Sequence, residues 1–214
     1  FDGAHSSSWP SPKAPPDAPR TVAATIKDFL VAPVDAGQTK IALVRGRMGE
    51  GKTTLLRRIA WDLAQEGRRV FWREFGATVG DRYVPEDDEK AIAIFVADDA
   101  DQLDNLPSLI NYLSAHGAGK ARFLLAAEGD AWDRSGLDHR IRRTSTLLDV
   151  TLACPDAQEC ATIAESLQQR GRLAPGADNA AMPEAMRKDD RCLRDRIAEA
   201  RGVGSIRTAV EQRI

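Results

Sequence analysis

The sequence predicts an α/β fold: a parallel, five-stranded sheet flanked by helices, followed by a small helical appendage. Three observations carry that expectation. Short apolar runs recur from residue 41 onward, helical patterns lie between them, and strand signals stop after residue 152. Strands separated by helices imply parallel pairing with right-handed crossovers. The chain has 214 residues, 43% hydrophobic and 29% charged, which suits one domain of ordinary size with an appendage.

Residues 1–20 (FDGAHSSSWPSPKAPPDAPR) hold five of the eleven prolines and three consecutive serines, and read as a linker or arm. The chain opens on Phe1 rather than Met, which reads as a piece of a longer polypeptide. "TVAATIKDFLV" (21–31) has the spacing of a short helix with Ile26, Leu30 and Val31 inward. "IALVR" (41–45) suits a strand buried on both faces. Beyond it, Leu55, Leu56, Ile59, Ala60, Leu63 and Ala64 repeat at helical spacing, and Gly67 stops the helix. "RRVFWREF" (68–75) and "AIAIFVADD" (91–99) are the next strands, and "LPSLINYLSA" (106–115) is a helix with Pro107 in its first turn. "ARFLLAAE" (121–128) and "LLDVTL" (147–152) complete the five strands. Residues 21–152 form the expected core and 153–214 a helical lid. The lid opens with Asp156 and Glu159 at capping-box spacing, and continues as short helices near 184–201 and 204–213.

Net charge is −2, which argues against a strongly cationic nucleic-acid binder. Cys154, Cys160 and Cys192 form no CxxC pair, and His5, His116 and His139 stand apart from them. A zinc site and a disulfide framework therefore lack support, and a reducing, cytosolic setting is expected. No apolar run approaches the length of a membrane span.

The chemistry begins at Gly46-Arg47-Met48-Gly49-Glu50-Gly51-Lys52-Thr53, which satisfies G-x-x-x-x-G-K-[ST], the Walker A pattern. Glycines allow a tight turn whose N–H groups point at phosphate oxygens, and the helix starting near Lys52 adds its positive end. Lys52 is expected on the β- and γ-phosphates of a nucleotide, Thr53 on Mg²⁺, and Thr54 near the α-phosphate. Ile92 to Asp99 is an apolar strand ending in acids, the Walker B pattern, about 40 residues further on. Asp98 is expected to orient the Mg²⁺ shell, and Asp99 to polarise the attacking water. Asp101 continues the acidic run and is expected to cap the following turn, and the acidic stretch 80–90 reads as a solvated loop. No NKxD motif appears, which argues against a GTPase.

With a strand between the two motifs and another after the second, the chain fits the P-loop branch in which the fourth strand inserts between the Walker A and Walker B strands. The sheet order expected for it is 2-3-1-4-5, and this branch holds ATP hydrolases rather than small-molecule kinases. "GRMGEGKTTLLRRIAWDLAQEGRRVFWRE", "AIAIFVADDADQL", "ARFLLAAEGDAW" and "TLACPDAQECATIAESL" resemble the STAND class of P-loop NTPases over roughly residues 21–170. That class includes NACHT and NB-ARC modules of immune receptors and bacterial antiviral relatives.

The resemblance implies a central module between an N-terminal effector and a C-terminal sensor. ADP would hold it closed, and ATP exchange would permit oligomerisation. It implies ATP/ADP and Mg²⁺ as cofactors and a homo-oligomer when active. Family members often carry an arginine at the end of the fourth strand to read the γ-phosphate; this chain has Glu128 there, a candidate sensor that would orient water or Mg²⁺ or pair with an arginine, since a carboxylate cannot stabilise phosphate charge. Arg134, Arg140, Arg142 and Arg143 follow and are candidates for the missing cation, in cis or from a neighbouring subunit. Trp132 is expected in the core, and residues 21–40, with Val31, Ala32 and Pro33, are candidates for packing on adenine.

Three readings stand: a slowly hydrolysing ATP switch, a AAA+-type motor acting on nucleic acid or protein, and a scaffold that binds nucleotide without hydrolysis. The first leads, because no basic aromatic-bearing loop and no clear sensor arginine in the appendage support the motor.

Overall fold

β1 (Thr39–Arg45), β3 (Ala93–Ala97) and β4 (Ala121–Ala127) are the apolar runs, and they form the middle of the sheet. The computed structural model describes residues 20–34, 38–73, 92–103, 105–116, 120–153 and 155–169. The arm up to residue 19, the acidic stretch 80–90, the helices expected near 184–201 and 204–213, Cys154 and Cys192 lie outside the described residues.

All four strand pairings are parallel and the order is β2-β3-β4-β1-β5, with β2 at Arg69–Trp72 and β5 at Ser145–Thr151. The five-stranded parallel sheet is as expected. The order 2-3-1-4-5 is corrected: β4 and β1 exchange places, so the fourth strand does sit between the Walker A and Walker B strands. Burial explains which strands take the edges, while the places of β1 and β4, interior in either order, are set by their pairing. β3 and β4 are buried throughout and β1 along all but its last residue, so each needs a neighbour on both sides, whereas β2 and β5 are only half-buried and take the edges.

Residues alternate between two cores. Ile41, Leu43, Phe95, Phe123 and Leu125 face α3 (Leu106–His116), α4 (Gly129–Ser135) and α5 (Leu137–Ile141). Ala42, Val44, Ile94, Val96, Leu124 and Ala126 face α1 (Val22–Val31) and α2 (Lys52–Gln65). Trp132 is buried in the first core, as expected. Gly67, at φ +79°, ends α2: its N–H and that of Arg68 return to the carbonyls of Ala64 and Leu63, a closure that favours glycine.

The C-terminus of α1 is held by two buried cations. Lys40 Nζ donates to the Phe29 carbonyl at 3.0 Å, and Arg122 Nε to that of Leu30 at 3.2 Å. Positive charge complements the negative end of a helix. Burial pushes Arg122 down to about 10 and lowers Lys40 as well. Both cations stand near the starts of their strands, so α1 ends at the edge of the sheet opposite the phosphate-loop motif.

Helix α6 (Ala157–Gln169) follows β5. The capping box is half realised: Asp156 Oδ1 accepts the N–H of Glu159 at 2.8 Å, but the Glu159 carboxylate turns away to Thr21 of another helix. Asp156→Ala is expected to lower stability by about 1 kcal/mol, read as a shift of the chemical denaturation midpoint; no shift would mean the cap is solvent-replaced. Among the described residues no helix is long and apolar enough to cross a membrane.

Candidate functional site

The loop leaves the sheet at the end of β1 and starts α2. Gly49 and Gly51 have φ of +84° and +91°, conformations that L side chains resist, and Gly51 is the residue before the helix. Gly46 is close-packed: a β-carbon there would lie 3.3 Å from Leu152 Cβ. Met48 projects into solvent, 75% exposed, while Glu50 is buried. The Lys52 ammonium folds back over the loop, donating to the carbonyls of Gly46 at 2.9 Å and Arg47 at 3.0 Å. Thr54 is exposed on the first turn of α2.

Register then brings the second motif alongside. Ala97 of β3 pairs with Leu125 of β4, and Ala127 of β4 pairs with Arg45 of β1. Asp98, Glu128 and Gly46 therefore emerge from three adjacent strands on one edge. The hydroxyl of Thr53 donates to Asp98 Oδ2. A hydroxyl and a carboxylate in contact are hard oxygen ligands of the kind Mg²⁺ takes. Among the described residues no group of three or more His, Cys, Asp or Glu side chains forms a metal centre. A cation at Thr53 and Asp98 would complete its shell with water and phosphate oxygens, which fits a nucleotide-borne Mg²⁺.

Asp99 is the only non-glycine residue at positive φ among those described, at +53°. Burial raises its pKa, with the charges of Asp98 and Asp101 adding, while Lys52 and Arg73 oppose. Asp101 does not cap the turn after β3; its Oδ1 accepts the backbone N–H of Glu128 at 3.3 Å. The acidic turn is thereby tied to the end of β4, because the 3₁₀ turn Ala100–Gln102 carries Asp101 sideways across the sheet edge.

The arginines divide. Arg142 pairs with Asp138 at 2.7 Å, and Thr144, just after Arg143, accepts the N–H of Thr39 at the start of β1. Seven-residue β1 separates its two ends by roughly 20 Å. Arg142 and Arg143, with Arg140 in the preceding helix, are thus out of reach of their own loop, which corrects the cis reading for all three. Arg143 and Arg140 instead border an open groove with Pro107, Asn111 and Thr144. Arg134 is exposed on α4 next to Asp133, whose carboxylate meets Arg45 at 2.9 Å, so it shares the loop's side of the sheet. Val31, Ala32 and Pro33 are corrected likewise: they stand at and just beyond the end of α1 held by Lys40 and Arg122, at the edge away from the phosphate loop.

Two residues escaped the sequence reading. Arg45 ends β1 and spans to Asp133 at 2.9 Å and Asp149 at 2.8 Å, bracing the strand from which the loop departs. Arg73, after β2, donates its N–H to Val96 and is close enough to lower the pKa of Asp99. The only available signal was a cation at the end of an apolar run, which is common in surface turns.

A family model described as novel STAND NTPase 5 matches residues 1–140. No curated protein matches the chain. Among solved structures, the chain is similar to the Aeropyrum pernix ORC2 protein in ADPNP-ADP complexes, at 17% identity and TM-score 0.56, covering 92% of this chain and 69% of that one. It is also similar to S. cerevisiae Hsp104 in a casein complex, at 15% identity and TM-score 0.61, covering 92% of this chain and 39% of that one. The chain thus spans well under half of the Hsp104 chain. At these identities the likeness is one of fold.

Proposed function

Since the chain belongs to the novel STAND NTPase 5 family, we propose that it is the ATP-binding, slowly hydrolysing switch module of a larger multidomain sensor. The observation that carries this is the convergence of Lys52, the Thr53–Asp98 contact and Asp99 on one sheet edge. Residues 21–152 serve as the core and 153–214 as the lid, with effector and sensor elsewhere in the same polypeptide. The proposal extends to nucleotide exchange that controls homo-oligomerisation and effector activation, with antiviral defence as its setting.

In this reading the N–H groups of the glycine loop and the start of α2 take the phosphates. The Lys52 ammonium exchanges its loop carbonyls for phosphate oxygens, a stronger charged partner. Thr53 and Asp98 would hold Mg²⁺, which when bound supplies charge neutralisation on the phosphates. Asp99 positions and polarises the attacking water, and Asp101 fixes the end of β4 so that Glu128 stands between loop and acidic turn. Of the four arginines after Glu128, Arg134 is the one on the loop's side of the sheet, and it senses the last phosphate in cis. Arg140, Arg142 and Arg143 act, if on phosphate, from a neighbouring subunit.

Titration of ADP and a non-hydrolysable ATP analogue, with Mg²⁺ and with EDTA, combined with mass measurement in each state, tests the reading. Tight ADP binding with a monomer, and a larger species with the ATP analogue, is expected. Rings in every state with fast, partner-stimulated turnover would favour a AAA+-type motor.

A further inference from the structure

The two helices at the margins of the domain are joined by one buried carboxylate. Glu159 of α6 is 6% exposed. Its Oε1 accepts both the N–H and the hydroxyl of Thr21, at 2.8 and 2.9 Å, and its Oε2 pairs with Arg20 Nε at 3.0 Å. Arg20 also donates to the Ala153 carbonyl at 2.8 Å. Thr21, the residue before α1, makes no side-chain cap of its own, so Glu159 supplies the negative charge at that helix N-terminus. Burial alone would raise the Glu159 pKa; the Thr21 hydrogen bonds and the Arg20 charge outweigh it, and the net direction is down.

The buried apolar residues of α6, Cys160, Ile163 and Ala164, belong to neither of the two main cores. An open groove of about 340 Å³ runs beside the contact, bordered by Ala24, Lys27, Asp62, Gln158 and Thr162. The other end of α1 is fixed to the sheet by Lys40 and Arg122. The polar contact therefore ties α6 to a strut that is anchored independently.

The tie also adjoins the phosphate loop. Ala153, held by Arg20, follows Leu152. Leu152 donates its N–H to the Arg45 carbonyl at 2.6 Å and packs closely on Gly46, where a β-carbon would lie 3.3 Å from its Cβ. Gly46, Leu152, Ala153 and Arg20 thus form one chain of neighbours from the loop to Glu159.

We propose that Glu159 with Arg20 and Thr21 forms a releasable latch through which the state of the loop sets the docking of α6. The proposal rests on the switch reading above and adds the residues that transmit it. Residue-resolved hydrogen exchange on the full chain tests it, with ADP and with a non-hydrolysable ATP analogue, for the parent, Glu159→Ala and Glu159→Gln. In the parent, exchange at 21–23 and 157–164 is expected to differ between the two nucleotides. In Glu159→Ala it rises there by about tenfold or more and the nucleotide difference disappears, while β1, β3 and β4 keep parental protection. Glu159→Gln, which still accepts from Thr21 but loses the Arg20 charge, falls between. Exchange that rises uniformly through the sheet, or stays parental at α1 and α6, overturns the latch. So does a parent that binds both nucleotides with identical exchange. Failure of either nucleotide to bind overturns the switch reading as well, and appears in the titration rather than in the exchange.

Discussion

Lys52→Ala weakens nucleotide binding by about one to two orders of magnitude, the equivalent of the 1.5–3 kcal/mol of a charged hydrogen bond. The fold survives, because Lys52 is partly exposed and its present partners, the carbonyls of Gly46 and Arg47, can turn to water. Stability is expected within about 1 kcal/mol of the parent. Calorimetric titration with ADP, alongside denaturation, separates the two effects. Parental affinity in Lys52→Ala would mean that the glycine loop holds phosphate by its N–H groups alone, or not at all.

Phe95→Ala acts on the scaffold beneath the site and is expected to cost about 3–5 kcal/mol, a large part of the 5–15 kcal/mol that holds a typical domain together. Phe95 is 1% exposed and stacks between Phe71 and Phe123 at centroid distances of 5.3 and 5.5 Å, so three adjacent strands share one aromatic row. Alanine leaves a cavity that no neighbour can collapse into without moving β2 or β4. The urea midpoint should fall with an unchanged slope. Because β3 also delivers Asp98 and Asp99, nucleotide-induced stabilisation should fall with it. A drop below about 1 kcal/mol would mean that the row is not continuous.

The sequence made local features legible where one period or one motif decides them. β1, β3 and β4 are unbroken apolar runs, and Gly67 closes α2 where only positive φ serves. The loop and the Thr53–Asp98 pair followed from motif spacing, since a lysine and a hydroxyl next to two positive-φ glycines have few other uses. What stayed hidden was anything set by tertiary register. Burial tells which strands take the edges, but β1 and β4 are interior in either order, so their exchange is set by strand pairing that no local pattern carries. The misplacement of Arg140, Arg142 and Arg143 arose because nearness in sequence to Glu128 hides the run through α4 and α5 to the far edge. Val31, Ala32 and Pro33 failed for the same reason, since the direction of α1 is set by Lys40 and Arg122. Asp101 and Glu159 each looked like local caps and instead reach partners on other elements.

The central claim is that this edge hydrolyses what it binds, and Asp99→Asn tests it most directly. Asparagine tolerates the left-handed backbone at that position at least as well as aspartate, so the turn is retained while the proton acceptor is lost. Phosphate release from ATP with Mg²⁺ is to be measured at saturating nucleotide, together with ADP affinity. The account predicts that release falls by about a hundredfold or more while affinity stays parental. Release at the parental rate in Asp99→Asn would contradict it and leave a nucleotide-binding scaffold, or another acid, in its place.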